Sequence, residues 1–531
     1  MQRRALLKYG LAAGALALTK TPTGLARALD AESTPMLEMT IAQLQTRMDS
    51  GALSAHGLSD FYLQRIADLD ASGPELNSVI ELNPDALAIA QQLDDERRQG
   101  HLRGPLHGIP ILIKDNIDTA DRMQTTAGSL ALVGSPPKRD AFLVKRLREA
   151  GAVLLGKSNL SEWANFRSTR STSGWSSRGG QCKNPHVLDR SPCGSSSGSG
   201  AAVAADLCAA AIGTETDGSV VCPANANGIV GFKPTLGLLS RTGIVPIAHS
   251  QDTAGSMART VADAAVLLSA MTGADPTDIA TRPSEFHDYT RYLDADGLRG
   301  ARIGIARNFF GFDDRVDRIM EDSIAAIKDL GAQIIDPANI ETIGLFGDSE
   351  LTVLLYEFKS GLNAYLTGRG SNLHTNTLQK LIAYNEANAD EVMPYFGQEH
   401  FIAAQEKGPL TDKTYLDALA QNHRLSRDEG IDATMHTHQL DAIVAPTGGP
   451  AWVVDLVNGD HFGGGCSSAA AVAGYPHITV PAGFIHDLPV GISFFSGAWQ
   501  EPMLVKCAYA FEQATKMRRA AKFLPSIGAK G

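Results

Sequence analysis

Lys114 ends the apolar run Ile109-Pro110-Ile111-Leu112-Ile113, and an ammonium held there is poorly solvated. Desolvation lowers a lysine pKa by up to ~3–5 units when burial is complete. A neutral lysine accepts protons, so it can support serine chemistry that has no histidine. Two serine-bearing turns lie downstream. Residues 191–200 hold five serines and three glycines, and they run straight into Ala201-Ala202-Val203-Ala204-Ala205. A flexible linker would not lead into a buried Ala/Val helix, so this is a packed segment. Thr214-Glu215-Thr216-Asp217-Gly218-Ser219 follows the strand-like residues 209–212 as a second tight turn. Successive backbone N–H groups in such a turn can form a nest that holds an oxyanion. Taken jointly, Lys114, Ser195 and Ser219 point to acyl transfer on a serine.

Two other patterns compete. Gly151-Ala152-Val153-Leu154-Leu155-Gly156-Lys157-Ser158 matches the phosphate-loop pattern GxxxxGK[ST]. Its four variable positions favour a buried strand, however, and a helix precedes it where a strand is required. The expectation is therefore a strand and turn, not a nucleotide site. Gly194-Ser195-Ser196-Ser197-Gly198 fits GxSxG, which in an α/β-hydrolase would make Ser196 the nucleophile of a strand–elbow–helix. Ser199 can cap a helix over 200–211, but residues 183–192 are polar and broken by prolines. His477 and His486 follow in the order a triad needs, without a distinctive context. A serine esterase using Ser196 stands as the alternative. His436 and His438 resemble a metal pair lacking a third ligand and are read as surface residues.

The elements that must position these groups alternate between helices and short apolar strands. Residues 37–100 are helical in period. Residues 109–114 form the first strand, and 140–150 read as a helix capped by Asp140 with Gly151 as its stop. A buried strand follows at 152–155. The same helix–Gly-Ala–strand unit recurs at 316–335, just after a strand at 301–306. Further strands are expected at 441–446 and 477–481, while 356–432 reads as a helical insertion able to wall a substrate entrance. This pattern predicts one large α/β domain, a central mixed sheet covered by helices on both faces.

The chain has 531 residues, 20% charged and 44% hydrophobic, which excludes a disordered or fibrous protein. Forty-seven basic against 58 acidic residues leave a net charge of −11, so binding to nucleic acid through bulk charge is not expected. The six cysteines show no CxxC pair, and neither a disulfide framework nor structural zinc is expected. Gln2-Arg3-Arg4-Ala5-Leu6-Leu7-Lys8 is a twin-arginine pattern, followed by an apolar run too short to span a bilayer and by the cleavage signal Ala26-Arg27-Ala28. Residues 1–28 are thus expected to be an export signal. The mature chain, 29–531, would be periplasmic or secreted and free of the membrane, with cysteines that need not pair.

The two serine turns together resemble the signature of the amidase signature family. The resemblance runs through Cys193-Gly194-Ser195-Ser196-Ser197-Gly198-Ser199-Gly200 and Gly213-Thr214-Glu215-Thr216-Asp217-Gly218-Ser219. Gly228-Ile229-Val230-Gly231-Phe232-Lys233-Pro234-Thr235 extends it, and Gly108-Ile109-Pro110-Ile111-Leu112-Ile113-Lys114-Asp115-Asn116 supplies the upstream lysine block. The resemblance implies the amidase signature fold and an acyl-serine mechanism without metal or cofactor. Ser219 would be the nucleophile, and Ser195, 24 residues upstream and following a cis peptide bond, the bridging serine. Lys114 would be the base, the N–H groups of Thr216, Asp217, Gly218 and Ser219 the oxyanion hole, and Ser196 a supporting hydrogen-bonding group. Several positions depart from the family pattern. Cys193 stands where glycine is common, Glu215 where Asp is common, Asp217-Gly218 in place of Gly-Gly, and Val221 where many members carry arginine. The missing cation disfavours acidic substrates. Residues 215–223 look most like the peptide amidases, which implies a C-terminal peptide amide or amino-acid amide as substrate. Aryl or fatty amides are the alternative. Export argues against the tRNA-dependent amidotransferases of the family, whose substrate is cytoplasmic.

Overall fold

Eleven strands share one sheet, and most are buried from end to end. The computed structural model describes residues 36–281, 287–370 and 373–529, so the expected export signal lies outside the described residues. One compact unit begins at Glu38. In chain order the first strands are β1 (Val79–Leu82), β2 (Pro110–Lys114), β3 (Val153–Ser158), β4 (Trp175–Ser176), β5 (Gly180–Gln181), β6 (Ala210–Glu215) and β7 (Val230–Lys233). The rest are β8 (Thr253–Ala258), β9 (Arg302–Ile305), β10 (Gln333–Ile335), β11 (Ala442–Pro446), β12 (His477–Ile485) and β13 (Leu488–Phe495). The main sheet runs β1-β3-β2-β6-β8-β7-β12-β13-β11-β9-β10, and β4 pairs with β5 as a separate ribbon.

Parallel blocks occupy both flanks, β3-β2-β6 on one side and β11-β9-β10 on the other, joined through antiparallel pairs. Every residue of β2, β3, β6, β7, β8, β11 and β13 is buried. Strands without a wet face need helices on both sides, and their near-continuous apolar sequence follows from that. Register then does the positioning. Lys114 lies opposite Ser158, and Ile113 opposite Ile212 two residues before Thr214, so β3, β2 and β6 end side by side. The carboxyl ends of parallel strands are where α/β sheets place their sites.

The mixed α/β sheet is as expected, with local corrections. The helix expected over 140–150 is Phe142–Glu149 with Ala141 at its N-cap. Asp140 instead accepts the Ala120 N–H and pairs with Arg148, both partners from outside the first turn. The helix expected over 200–211 is Ser197–Ala204, because residues 205–209 turn the chain into β6. β6 also reaches Glu215, so Thr214 and Glu215 are strand residues rather than part of the turn. β1 was not expected, being a four-residue edge strand among helices. The helical segment starts at Gly347, ahead of residue 356, in the helix Gly347–Gly368. Its apolar face, including Leu355, Phe358, Leu362 and Leu366, packs with Trp163 and Phe166 just beyond β3 and with Phe401 of the helix Glu399–Gln405.

Candidate active site

Lys114 is fully buried at the end of β2. Its Nζ lies 2.7 Å from Ser195 Oγ, 2.9 Å from Thr214 Oγ1 and 3.2 Å from the Thr214 carbonyl. Burial pulls its pKa down to about 7, against the opposing pull of the Glu215 and Asp252 carboxylates. Asn116 Nδ2 donates to the same Thr214 Oγ1 at 2.9 Å and so fixes that hydroxyl. Lys157, the lysine of the phosphate-loop pattern, sits within β3 as a buried strand residue. It donates to the Ile117 carbonyl and to Thr125 Oγ1, which leaves no cradle for a phosphate.

Ser195 follows a cis Gly194–Ser195 peptide. A Cβ on Gly194 would overlap Ser161 Oγ, so any larger residue there would have to displace that hydroxyl. Ser196 points inward: its Oγ donates to the Thr214 carbonyl at 3.1 Å and accepts the Thr214 N–H at 3.2 Å. Its own N–H donates to the Ser219 carbonyl at 3.2 Å and ties the two serine segments together. No strand leads into Ser196, and its hydroxyl is buried in this network, so the esterase elbow is not formed. His477 is equally committed, 2.6 Å from Ser493 Oγ, with burial holding its pKa down at about 3. His486 lies in the turn between β12 and β13, and His436 is exposed on the helix Asp432–His438.

Ser219 lies between the end of β6 and the helix Val221–Asn227. Gly218 takes the left-handed conformation, φ 77°, that turns the chain there. Among the described residues no protein acceptor takes the N–H of Asp217, Gly218 or Ser219. The turn is braced from both ends. Glu215, buried, accepts the Val220 and Val221 N–H groups at 2.8 and 3.1 Å. Asp217 accepts from Ser467 and Ser468 hydroxyls, both at 2.6 Å. Thr216 Oγ1 donates to Asp252 at 2.6 Å, and Gln251 Nε2 donates both to the Thr216 carbonyl at 3.2 Å and to Glu350 at 3.0 Å. Burial first, then the Asp217 charge, push the Glu350 pKa up to about 8. Burial likewise pushes Asp252 up to about 6.

Ser467, Ser468, Glu350, Gln251 and Asp252 were not singled out in the sequence. They come from remote segments of ordinary composition, and no spacing signal links them to the serine turns. The cysteines need a correction. Cys193 and Cys222 form a disulfide, while Cys182, Cys208, Cys466 and Cys507 are free and buried. A separation of 29 residues says nothing about pairing until the fold lays the Ser195 segment against the Val221–Asn227 helix.

Known proteins can be set beside this geometry. The profile of the Amidase family matches residues 60–505. A probable amidase of Arabidopsis thaliana is 43% identical over 499 residues, which cover 92% of each chain. A putative amidase of Schizosaccharomyces pombe is 38% identical over 524 residues, covering 92% of this chain and 87% of that one. Among solved structures, the native peptide amidase of Stenotrophomonas maltophilia is 52% identical with a TM-score of 0.88, covering 92% of this chain and 99% of that one. The peptide amidase PAM in complex with the competitive inhibitor chymostatin gives a TM-score of 0.90 at 52% identity, covering 92% and 100%.

Proposed function

The chain belongs to the amidase family, and from that premise we propose that it removes ammonia from C-terminal peptide amides or amino-acid amides through an acyl-Ser219 ester. The observation that carries this reading is the buried Lys114 Nζ, 2.7 Å from the Oγ of Ser195, whose segment is tied to Ser219 by the Ser196 N–H. A neutral amine has two N–H donors and one lone pair. The donors go to the Thr214 carbonyl and hydroxyl, and the lone pair is left to accept the Ser195 hydroxyl proton. Ser195 in turn takes the proton of Ser219, whose Oγ adds to the substrate carbonyl. The developing oxyanion is held by N–H groups of Thr216, Asp217, Gly218 and Ser219, each such donor being worth ~10²–10³ in rate. The proton returns by the same relay to the departing ammonia. Water then adds to the ester and releases the carboxylate. Ser196 holds Thr214 in place and takes no proton.

The choice of acyl group rests on charge and resemblance. Asp217 lies in the turn itself and Val221 offers no cation, so an acidic acyl group finds no opposite charge there. Likeness to the solved peptide amidases favours a peptide or amino-acid acyl group over an aryl or fatty one. We propose also that residues 1–28 direct export, on the strength of Arg3-Arg4 and the Ala26-Arg27-Ala28 signal. The Cys193–Cys222 disulfide supports this, since such bonds persist in oxidising compartments.

A fluorophosphonate probe followed by peptide mapping tests the mechanism. The label is expected on Ser219 and is expected to be lost in Lys114→Ala. Ser219→Ala should abolish ammonia release with the melting temperature nearly unchanged, and retained turnover would overturn the nucleophile. Comparing peptide, aryl and fatty primary amides by kcat/KM then decides the substrate class.

A further inference from the structure

The segments carrying Ser195 and Ser219 have little bulk with which to hold themselves in place. From Cys193 to Gly200 no side chain is larger than cysteine, and the Ser219 turn is Asp217-Gly218-Ser219. Small residues let the backbone approach the reacting atoms closely, but they forfeit the side-chain packing that normally fixes a loop. Two hydrogen bonds join the segments, Ser196 N–H to the Ser219 carbonyl and Asn227 Nδ2 to the Pro192 carbonyl at 2.9 Å. The third tie is covalent. Cys193 lies two residues before Ser195, and Cys222, in the first turn of the Val221–Asn227 helix, lies three residues after Ser219. Cys193 is buried, and its carbonyl accepts the Ser197 hydroxyl at 2.6 Å. Cys222 donates its N–H to the Gly218 carbonyl at 2.8 Å, so each cysteine is bonded to the segment of its neighbouring serine.

We propose that the Cys193–Cys222 disulfide is a positioning clamp for the two serines, so that turnover depends on its oxidation state. This rests on the Lys114–Ser195–Ser219 reading. Cys222 is only half-buried, and a dithiol reaches it first. One dithiol thiolate attacks Cys222 Sγ, the Sγ–Sγ bond breaks, and Cys193 leaves as a thiolate that takes a proton. The second dithiol sulfur attacks the mixed disulfide and frees Cys222 as a thiol. Two electrons and two protons pass to the protein, and the reductant closes to a cyclic disulfide. Without the clamp the serines keep their fold-level position but lose register with Lys114, and a displacement near 1 Å can cost about 10²-fold in rate.

The test uses the full-length chain, oxidised or treated with dithiothreitol, well below its melting temperature. Peptide mapping of the oxidised enzyme is expected to recover the 193–222 link. Reduction is expected to lower kcat by about tenfold or more while KM changes little and circular dichroism stays constant. Fluorophosphonate labelling of Ser219 should slow in proportion, and oxidised glutathione should restore both. The double variant Cys193→Ser, Cys222→Ser should reproduce the reduced enzyme and ignore dithiothreitol. Unchanged kcat per folded molecule after reduction overturns the clamp, including where only the melting temperature falls. Ser219→Ala in oxidised enzyme separates the two failures: turnover retained there overturns the serine reading, whereas turnover lost there together with a wild-type kcat insensitive to reduction overturns the clamp alone.

Discussion

Whether Lys114 carries a proton is decided by burial working against two carboxylates. Burial wins, and the pKa falls to about 7, so the lysine is an ammonium below that pH and a base above it. kcat/KM is therefore expected to rise through an acid limb near pH 7, measured as a pH–rate profile. Lys114→Ala should lose the limb together with roughly 10²–10⁴-fold of the rate, the scale of a general base. Asp252 raises the lysine pKa, so Asp252→Asn should move the limb to lower pH. On the other side of the site, Ser467 and Ser468 hold the Asp217 carboxylate. Replacing both with alanine should loosen the Ser219 turn and, on the proposed mechanism, lower kcat by roughly tenfold, less than the ~10²–10³ that goes with an oxyanion donor itself. Steady-state kinetics with one amide substrate checks this.

Lys114 and its partner Thr214 stand at or near the ends of strands whose lengths are set by packing. Lys114 closes β2, Thr214 comes near the end of β6, and the adjacent parallel register brings both to one edge of the sheet. The long helix Gly347–Gly368 is anchored to the same edge. Tyr365 Oη donates to Asp118 at 2.7 Å, and Arg369 donates to the Thr125 carbonyl at 2.6 Å. Burial pushes Asp118 up to about 6, which makes the tyrosine donor matter to it. Tyr365→Phe should cost about 1–3 kcal/mol in denaturant unfolding, because the buried carboxyl loses a donor that water cannot replace. An unchanged midpoint would mean that the Tyr365–Asp118 hydrogen bond adds nothing to the anchoring of the helix.

At the scale of the whole molecule, the amidase unit begins at Glu38, downstream of the expected signal. A chain starting at Leu29 is therefore expected to keep both turnover and melting temperature. Residues 1–28 fused to a folded reporter should export it, and Arg3→Lys with Arg4→Lys should hold it in the cytoplasm, read by fractionation. Export of neither fusion would end the targeting proposal. No helix among the described residues is long and apolar enough to cross a membrane.

Sequence alone was enough for whatever depends on neighbours along the chain. The apolar run before Lys114, the Gly/Ser turns at Ser195 and Ser219, and the alternation of helices and strands are local patterns, and they point to the α/β sheet and the serine chemistry. The same reasoning set aside the phosphate-loop pattern, since a helix precedes its apolar run where a strand is required, and residues 153–158 are a buried strand. Tertiary structure alone decided what depends on remote contacts. Thr214 became a partner of Lys114 only through the β2–β6 register, and Ser467 and Ser468 reached Asp217 from 250 and 251 residues away. Cys193 found Cys222 because a helix packs across the Ser195 segment. The reason is physical: local propensity fixes where a strand or turn begins, whereas the partner of a buried polar group is set by which elements pack together.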